Sequence, residues 1–301
     1  MIMKNNYYNN KTVIFLDGKW VKAGEANTSL FSQTLHYGIG AFEGIRAYQT
    51  PNGICLFKAG SHFRRLLNSL EMLNITIPYT EEELTEITLK LLRKNNLRNA
   101  YVRPLVYLDA DMRLTLAKKA HVMIAAWEWG QLLGAGELRL TLSTFQRPER
   151  KSLPVTAKLV GNYTQAILAS QEARAKGYDE ALMFDLHGNI AQAPGANFFL
   201  EKDGVLYTPE PGSIMTGITR KVIMEYAEEM SIEVKEQDIS VDMIHEADSA
   251  FLTGTATEVV SVRSIEGIEM KDKWEDSIGA QLAAIYQHRI RHDDYQTMTI
   301  V

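Results

Sequence analysis

Lys158 stands in the segment Pro154-Val155-Thr156-Ala157-Lys158-Leu159-Val160-Gly161-Asn162-Tyr163, among small and apolar neighbours and just ahead of an amphipathic stretch. An amine in such surroundings loses hydration, which disfavours its ammonium form and frees a lone pair to attack an aldehyde. The same residue could instead snorkel, covering apolar surface with its stem while its head stays wet. Two glycine-bearing turns add to the picture: Met215-Thr216-Gly217-Ile218-Thr219 before a predicted helix, and Thr253-Gly254-Thr255-Ala256-Thr257 after a predicted strand. Glycine lets backbone approach an oxyanion, helix-start amides carry partial positive charge, and threonine hydroxyls add donors. Neither turn matches the P-loop or the dinucleotide fingerprint, and taken singly each reads as a plain capped turn. With the isolated lysine, and with Arg65 on an otherwise amphipathic helix, they point to a small phosphorylated aldehyde as cofactor.

The elements that must position these residues follow from turn residues and periodicity. Thr12 to Leu16 and Lys19 to Lys22 flank Asp17-Gly18, a hairpin signal. Ser61 to Asn74 places Phe63, Leu66, Leu67, Leu70 and Leu73 on one helical face, with Ser61 as its expected N-cap. Thr80 to Asn95 is a second helix, opened by the capping-box pair Thr80 and Glu83. Ala100 to Leu108 and His121 to Trp127 read as strands. The chain from 1 to 129 is therefore expected to be a small α+β domain, with Gly130 to Gly136 as the interdomain loop.

The remainder, 137–301, reads as a larger and more β-rich domain carrying Lys158. Glu137 to Phe145 alternates as a strand, and Tyr163 to Lys176 is a helix closed by Gly177. Glu180 to Asp185, Asn189 to Ala193, Asn197 to Glu201 and Val205 to Thr208 form a meander with turns at His187-Gly188, Pro194-Gly195 and Asp203-Gly204. Thr219 to Met230 is a helix, Ser249 to Thr253 a strand, and Trp274 to Ile290 a terminal helix.

Composition excludes several classes of function. The 301 residues are 46% hydrophobic and 23% charged with a formal net charge of -5, ordinary values for a globular chain. The basic residues are scattered, so neither nucleic acid nor an anionic membrane is an expected partner. Met1 to Asn10 lacks an apolar h-region, and no uncharged apolar run approaches the ~18 residues of a membrane helix. Cys55 is the one cysteine, which excludes an intramolecular disulfide and a cysteine metal cluster and fits the cytoplasm.

In chain order the sequence carries His36-Tyr37-Gly38-Ile39-Gly40-Ala41-Phe42-Glu43-Gly44-Ile45-Arg46-Ala47-Tyr48, the Tyr101 to Leu105 run Tyr-Val-Arg-Pro-Leu, Trp129-Gly130, Ala157-Lys158 to Gly161-Asn162-Tyr163, Gly217-Ile218-Thr219-Arg220 and Gly254-Thr255-Ala256-Thr257-Glu258. So ordered, from about Ile14 to Arg263, it resembles a branched-chain amino acid aminotransferase, a class IV pyridoxal-phosphate enzyme of fold type IV. The resemblance implies an α+β amino-terminal domain, a β-barrel-like carboxy-terminal domain and a homodimer that completes the substrate pocket. It implies that Lys158 forms the internal aldimine of pyridoxal 5′-phosphate and later shuttles a proton. It gives Arg65, Ile218, Thr219 and Thr255 to the cofactor phosphate, and Tyr163 to the pyridine O3′, although Tyr163 alone reads equally as a core aromatic. Tyr37, Phe42, Tyr101, Arg103 and Ala256 are implied in substrate recognition. An apolar floor would accept a branched chain while Tyr37, Tyr101 and Arg103 take the distal carboxylate of glutamate. Arg103 also reads as a strand arginine facing solvent, but Tyr101 and Arg103 share a parity and hence a face.

Two departures bear on rate and specificity. Gln192 stands where the family has a glutamate against the pyridine nitrogen. A carboxylate there keeps the nitrogen protonated through a charge-assisted bond of about 1.5 to 3 kcal/mol and maintains the electron sink. Slower or altered chemistry is expected without it. Leu132 stands where better-known members carry a tyrosine of the pocket. The expected activity is transfer of an amino group between a branched-chain or similar apolar L-amino acid and 2-oxoglutarate by a ping-pong cycle. D-amino acid aminotransferase and aminodeoxychorismate lyase are the alternative enzymes within the fold, and a pyridoxal-phosphate-binding homologue of weak turnover, suggested by Gln192, is the alternative from another functional class.

Overall fold

Asp17 and Gly18 take left-handed backbone, φ 47° and 81°, and close the predicted hairpin between β1 (Val13–Leu16) and β2 (Lys19–Lys22). Such turns match the right-handed twist of the strands they join. The computed structural model describes residues 7–130, 132–134, 136–212 and 214–292. The polar stretch Met1 to Asn10 is thus described from Tyr7 onward, and Gln131 and Ala135 of the expected interdomain loop lie outside the described residues.

The chain divides into two units. The first holds the residues up to Trp129, the segment Ala157–Gly161 and the chain from Ile290; the second holds Gly130–Thr156 and Asn162–Arg289. The first unit continues with α1 (Gln33–Tyr37), β3 (Gly40–Phe42), β4 (Ile45–Thr50), β5 (Gly53–Leu56), α2 (Ala59–Met72), α3 (Glu81–Lys94), β6 (Ala100–Leu108) and β7 (Ala120–Trp127). Its antiparallel sheet runs β2-β1-β7-β6-β4-β5, with β3 also paired to β6. Phe63, Leu66 and Leu70 of α2 and Leu84, Leu91 and Leu92 of α3 pack with Phe15, Ile45, Val102 and Ile124 of the sheet. Each such side chain contributes roughly 1.5 to 3 kcal/mol on burial.

The capping box of α3 forms as its sequence predicts: Glu83 N–H donates to Thr80 Oγ1 at 3.2 Å, and Thr80 N–H donates to Glu83 Oε2 at 2.8 Å. Ser61 is not the cap of α2, which starts two residues earlier after Lys58 and without a side-chain cap. Ala59 is buried, so packing sets that start and not a hydroxyl. Periodicity does not predict strands β3, β4 and β5. In β4 five of six residues are buried, and a strand covered on both faces loses the alternation that reveals it.

The second unit contains β8 (Leu138–Gln146), α4 (Thr164–Ala175), β9 (Glu180–Phe184), β10 (Ile190–Ala193), β11 (Ala196–Lys202), β12 (Val205–Thr208), α5 (Ile218–Glu229), β13 (Val234–Glu236), α6 (Asp242–Glu246), β14 (Ser249–Gly254), β15 (Glu258–Ile265), β16 (Ile268–Glu269) and α7 (Ile278–Arg289). Strands β10-β9-β8-β15-β14-β11 pair in sequence, and β10 pairs back to β11, so the sheet closes on itself. Closure removes the free edges that invite pairing with another chain. This is the barrel-like fold that the resemblance implies. The predicted terminal helix is broken, because Ser277 Oγ donates to Trp274 O and accepts from Ala280 N–H, separating a short turn from α7.

Chain order assigns Lys158 to the larger domain, and here the structure corrects the sequence. Ala157 and Leu159 are buried in the core of the first unit, Leu159 bridges Ala41, and Phe42 N–H donates to Lys158 O at 3.1 Å. Chain continuity is a poor guide where two buried side chains select another core. No described helix is long and apolar enough to cross a membrane.

Candidate active site

In the first unit the segment bearing Lys158 lies against β3, an approach that two glycines permit. Gly161 N–H donates to Gly38 O at 2.9 Å, and a Cβ on Gly38, whose φ is +69°, would fall 2.9 Å from Gly161 Cα, closer than real Cβ contacts allow. Lys158 Nζ stands 5.0 Å from the centroid of the Phe42 ring, and Arg103 Cζ stands 4.6 Å from it. Arg103 Nη2 donates to Tyr101 Oη at 3.1 Å, so the shared parity on β6 is a shared face. Tyr101 packs edge-on to Trp129 at 4.9 Å and lies 5.3 Å from Trp127. Arg103 Nε and Trp127 Nε1 are buried with no hydrogen-bond partner among the described residues. Buried donors left unpaired are costly, so each calls for an acceptor that the described residues do not supply.

Arg65 on α2 is held from behind by a carboxylate. Its Nε donates to Glu43 Oε1 at 2.6 Å and its Nη2 to Glu43 Oε2 at 3.0 Å, while His62 Nδ1 lies 2.8 Å from Oε2. Burial raises the Glu43 pKa, but the Arg65 charge and the His62 hydrogen bond outweigh it and hold the carboxyl well below the usual carboxylate range. Burial lowers the His62 pKa, with Glu43 opposing and the Arg65 and Lys158 charges adding to the lowering. The site therefore holds an ionised glutamate and a neutral histidine at neutral pH. Tyr37 is not part of this group: it is exposed, and its hydroxyl donates to Met112 O at 3.0 Å.

In the second unit, Gln192 and Asn197 are register partners on β10 and β11 and clamp one loop. Met215 N–H donates to Gln192 Oε1 at 2.8 Å, Asn197 Nδ2 donates to Met215 O at 2.9 Å, and Gly217 N–H donates to Asn197 Oδ1 at 2.9 Å. A Cβ on Gly217 would stand 2.3 Å from Asn197 Oδ1, so the clamp requires glycine there. Gly217 is the N-cap of α5 without any side-chain cap, so the helix presents the amides of Ile218 and Thr219 at a positive end. Thr255 and Ala256 lie in the β14 to β15 turn, whose flanking Thr253 and Thr257 hydroxyls are buried without hydrogen-bond partners among the described residues. Tyr163 is half-buried at the start of α4. Arg147 is buried nearby: burial lowers its pKa while Tyr163 acts in the opposite direction. Arg220 is committed to Pro209 O and Glu236 Oε2, at 2.9 and 2.8 Å.

Sequence reasoning missed Glu43, His62, Ser69, Asn197 and Arg147. The spacing of His62, Arg65 and Ser69 places all three on one helical face, a signal that was available. Asn197 had none, since its role depends on a loop eighteen residues away.

Residues 40–265 match the amino-transferase class IV family. The chain is 42% identical over 261 residues to the branched-chain-amino-acid aminotransferase of Pseudomonas aeruginosa, a match that covers 85% of each protein. The chain belongs to the class IV aminotransferases. Its fold is that of solved fold type IV members. It matches a branched-chain aminotransferase from Thermoproteus uzoniensis with norvaline at a TM-score of 0.89 and 34% identity, covering 93% of this chain and 94% of that one. It matches a branched-chain amino acid aminotransferase from Thermobaculum terrenum, solved in its PLP-form, at a TM-score of 0.87 and 29% identity, covering 93% and 94%.

In this class IV aminotransferase each unit carries groups that fit a phosphorylated aldehyde. The first holds an arginine and an amine beside an aromatic ring; the second holds uncapped helix-start amides and threonine hydroxyls. Gln192 is the departure, and its Oε1 is already occupied by Met215. Its Nε2 donates to Ala193 O at 3.1 Å, so the amide orientation is fixed and only an N–H remains to offer. The Leu132 side chain is exposed, while its N–H donates to Ala256 O at 3.0 Å.

Proposed function

We propose that this enzyme moves an amino group between a branched-chain or similar apolar L-amino acid and 2-oxoglutarate by a ping-pong cycle, with Lys158 as its catalytic amine. The observation that carries the reading is the placement of Lys158 beside Phe42, in the same unit as the Arg65 to Glu43 pair, within a class IV aminotransferase. Its cofactor is pyridoxal 5′-phosphate, which when bound supplies the electron-withdrawing ring that stabilises charge at the substrate α-carbon.

The roles of the chain's own residues follow. Lys158 Nζ would be the attachment point for the aldehyde, and within each half of the cycle it would carry a proton between the substrate α-carbon and the aldehyde carbon. In the first unit Arg65 holds phosphate as a guanidinium. In the second, Ile218 and Thr219 offer amide and hydroxyl donors to phosphate, Thr255 adds another, and Tyr163 donates to the ring oxygen. Phe42 and the body of Tyr101 receive an apolar side chain, Ala256 offers backbone, and Arg103 takes a distal carboxylate through the donors its surroundings leave unmet.

A panel of half-reactions tests this. The purified protein is expected to be yellow, and L-leucine and L-glutamate are expected to bleach its visible band. D-alanine and aminodeoxychorismate are expected to leave it unchanged. Bleaching by D-alanine but not by L-leucine would transfer the reading to the D-amino acid aminotransferases.

Gln192 defines a second expected result. A glutamate at 192 can still accept from Met215 N–H, and it adds a charge-assisted partner for the ring nitrogen. Gln192→Glu is therefore expected to raise the half-reaction rate about tenfold, the size of one such bond, and to lower the melting temperature, because the carboxylate loses the bond to Ala193 O. An unchanged or lower rate would show that the amide is no handicap here.

Partners are expected to be small amino and 2-oxo acids, with the chain acting as a homodimer in the cytoplasm. The cytoplasmic location is supported by the single, buried Cys55. The dimer is supported by an exposed apolar patch of Leu30, Phe31, Leu35, Tyr37, Met112 and Leu114, of a kind that marks protein interfaces. Its two loops are tied together, since Gln33 Nε2 donates to both Arg113 O and Thr115 O at 2.8 Å. Leu114→Glu is expected to give monomers in sedimentation velocity; a persistent dimer would locate the interface elsewhere.

A further inference from the structure

Four donors converge on the Glu43 carboxylate inside the first unit. Oε1 accepts from Arg65 Nε at 2.6 Å, and Oε2 accepts from Arg65 Nη2 at 3.0 Å, from His62 Nδ1 at 2.8 Å and from Gly44 N–H at 3.1 Å. Glu43 is 0% and His62 1% exposed. With the histidine neutral, its Nδ1 carries the proton and donates it. One turn beyond Arg65, Ser69 Oγ donates to Arg65 O at 2.8 Å and accepts from Lys158 N–H at 3.0 Å. Phe42, the residue before Glu43, donates its own N–H to Lys158 O. The guanidinium of Arg65 and the backbone of Lys158 are thus fastened to one buried set of side chains.

We propose that Glu43, backed by His62 and Ser69, is a positioning residue that fixes the direction of the Arg65 guanidinium relative to Lys158. In this way it creates the enzyme's preference for a phosphate-bearing aldehyde over the same aldehyde without phosphate. The proposal rests on the reading of Arg65 as a phosphate ligand. An arginine already held in one rotamer loses little further freedom when it binds an anion, whereas a loose one loses much. The carboxylate offsets part of the arginine's long-range attraction, so the frame exchanges charge for direction. A glutamine at 43 offers one carbonyl oxygen to four donors and turns its own amide hydrogens toward them. The guanidinium would then leave its position.

The test compares affinities of the full chain, freed of cofactor, for pyridoxal 5′-phosphate and for pyridoxal. The readout is the ratio of the two dissociation constants. General loosening of the protein weakens both and leaves the ratio unchanged, so a purely structural role does not move it. Glu43→Gln is expected to reduce the ratio about tenfold, the order of one charge-assisted hydrogen bond. Glu43→Asp, which keeps the charge but withdraws it by one methylene, is expected to reduce it less, and it carries the test if Glu43→Gln does not accumulate as folded protein. Arg65→Ala is expected to remove the preference, and adding Glu43→Gln to it is expected to change the ratio no further. A wild-type ratio retained in both Glu43 variants, or a further drop in the Arg65→Ala background, overturns the proposal. A wild-type protein without any preference for the phosphorylated form overturns the Arg65 reading and the frame together. A preference lost in Arg65→Ala but kept in the Glu43 variants overturns the frame alone.

Discussion

Lys158→Ala is expected to lower the rate of amino transfer by about 10⁴-fold or more, since it removes both a covalent attachment point and a positioned proton carrier. The loss should be chemical and not structural. The side chain is only partly buried, and the hydrogen bonds that seat this segment are made by backbone: Lys158 N–H to Ser69 Oγ, Phe42 N–H to Lys158 O and Gly161 N–H to Gly38 O. Alanine keeps all three. The variant should therefore melt close to the wild type. Borohydride treatment followed by peptide mass spectrometry should find the cofactor fixed to Lys158 in the wild type and to no residue in the variant. A variant that retains even a hundredth of the activity, or a fixed adduct on another lysine, would displace Lys158 from the centre of the chemistry.

Arg65→Ala is expected to produce the largest stability loss, about 3 kcal/mol, because it strands the ionised Glu43 in the interior. Its pH dependence distinguishes this cause from lost packing. In the wild type the folded Glu43 pKa lies below its unfolded value. The group thus contributes stability above the unfolded pKa, about 4.3, and the contribution is lost as pH falls through the folded value. In the variant the burial that raises the pKa, the largest effect, remains, while the Arg65 charge is gone and His62 alone opposes it. The folded pKa is then expected to lie above the unfolded one and the sign to reverse: stability is present below about pH 4.3 and is lost as pH rises through the new folded value. Urea unfolding should show the penalty of the substitution growing from pH 5 to pH 8. A penalty that is constant across this range, or larger at pH 5, would show that Glu43 does not depend on Arg65 for its charge.

Local rules made much of this protein legible before any tertiary information. The Asp17-Gly18 hairpin, the Thr80 to Glu83 capping box, the strand at Ala100–Leu108 and the closure of α4 at Gly177 each depend on residues a few positions apart. Strands β4 and β15 were not legible, because burial on both faces erases alternation. The start of α2 was misplaced because a buried alanine outweighed an exposed serine.

The candidate site divides along the same line. Residue types and spacing brought out Lys158, Arg65 and the two glycine turns, since their chemistry is written in their side chains and immediate neighbours, while Phe42, Tyr101 and Arg103 came only from the family resemblance. What each of them leans on was decided by tertiary structure. Glu43 meets Arg65 across 22 positions, Ser69 meets Lys158 across 89, and Gln192 meets Met215 across 23. Folding also moved Lys158 out of the domain to which chain order assigned it, because Ala157 and Leu159 find their burial in the first unit's core. Sequence determines which groups can react; the long-range hydrogen bonds and apolar contacts that fix their directions arise only when distant segments share one interior.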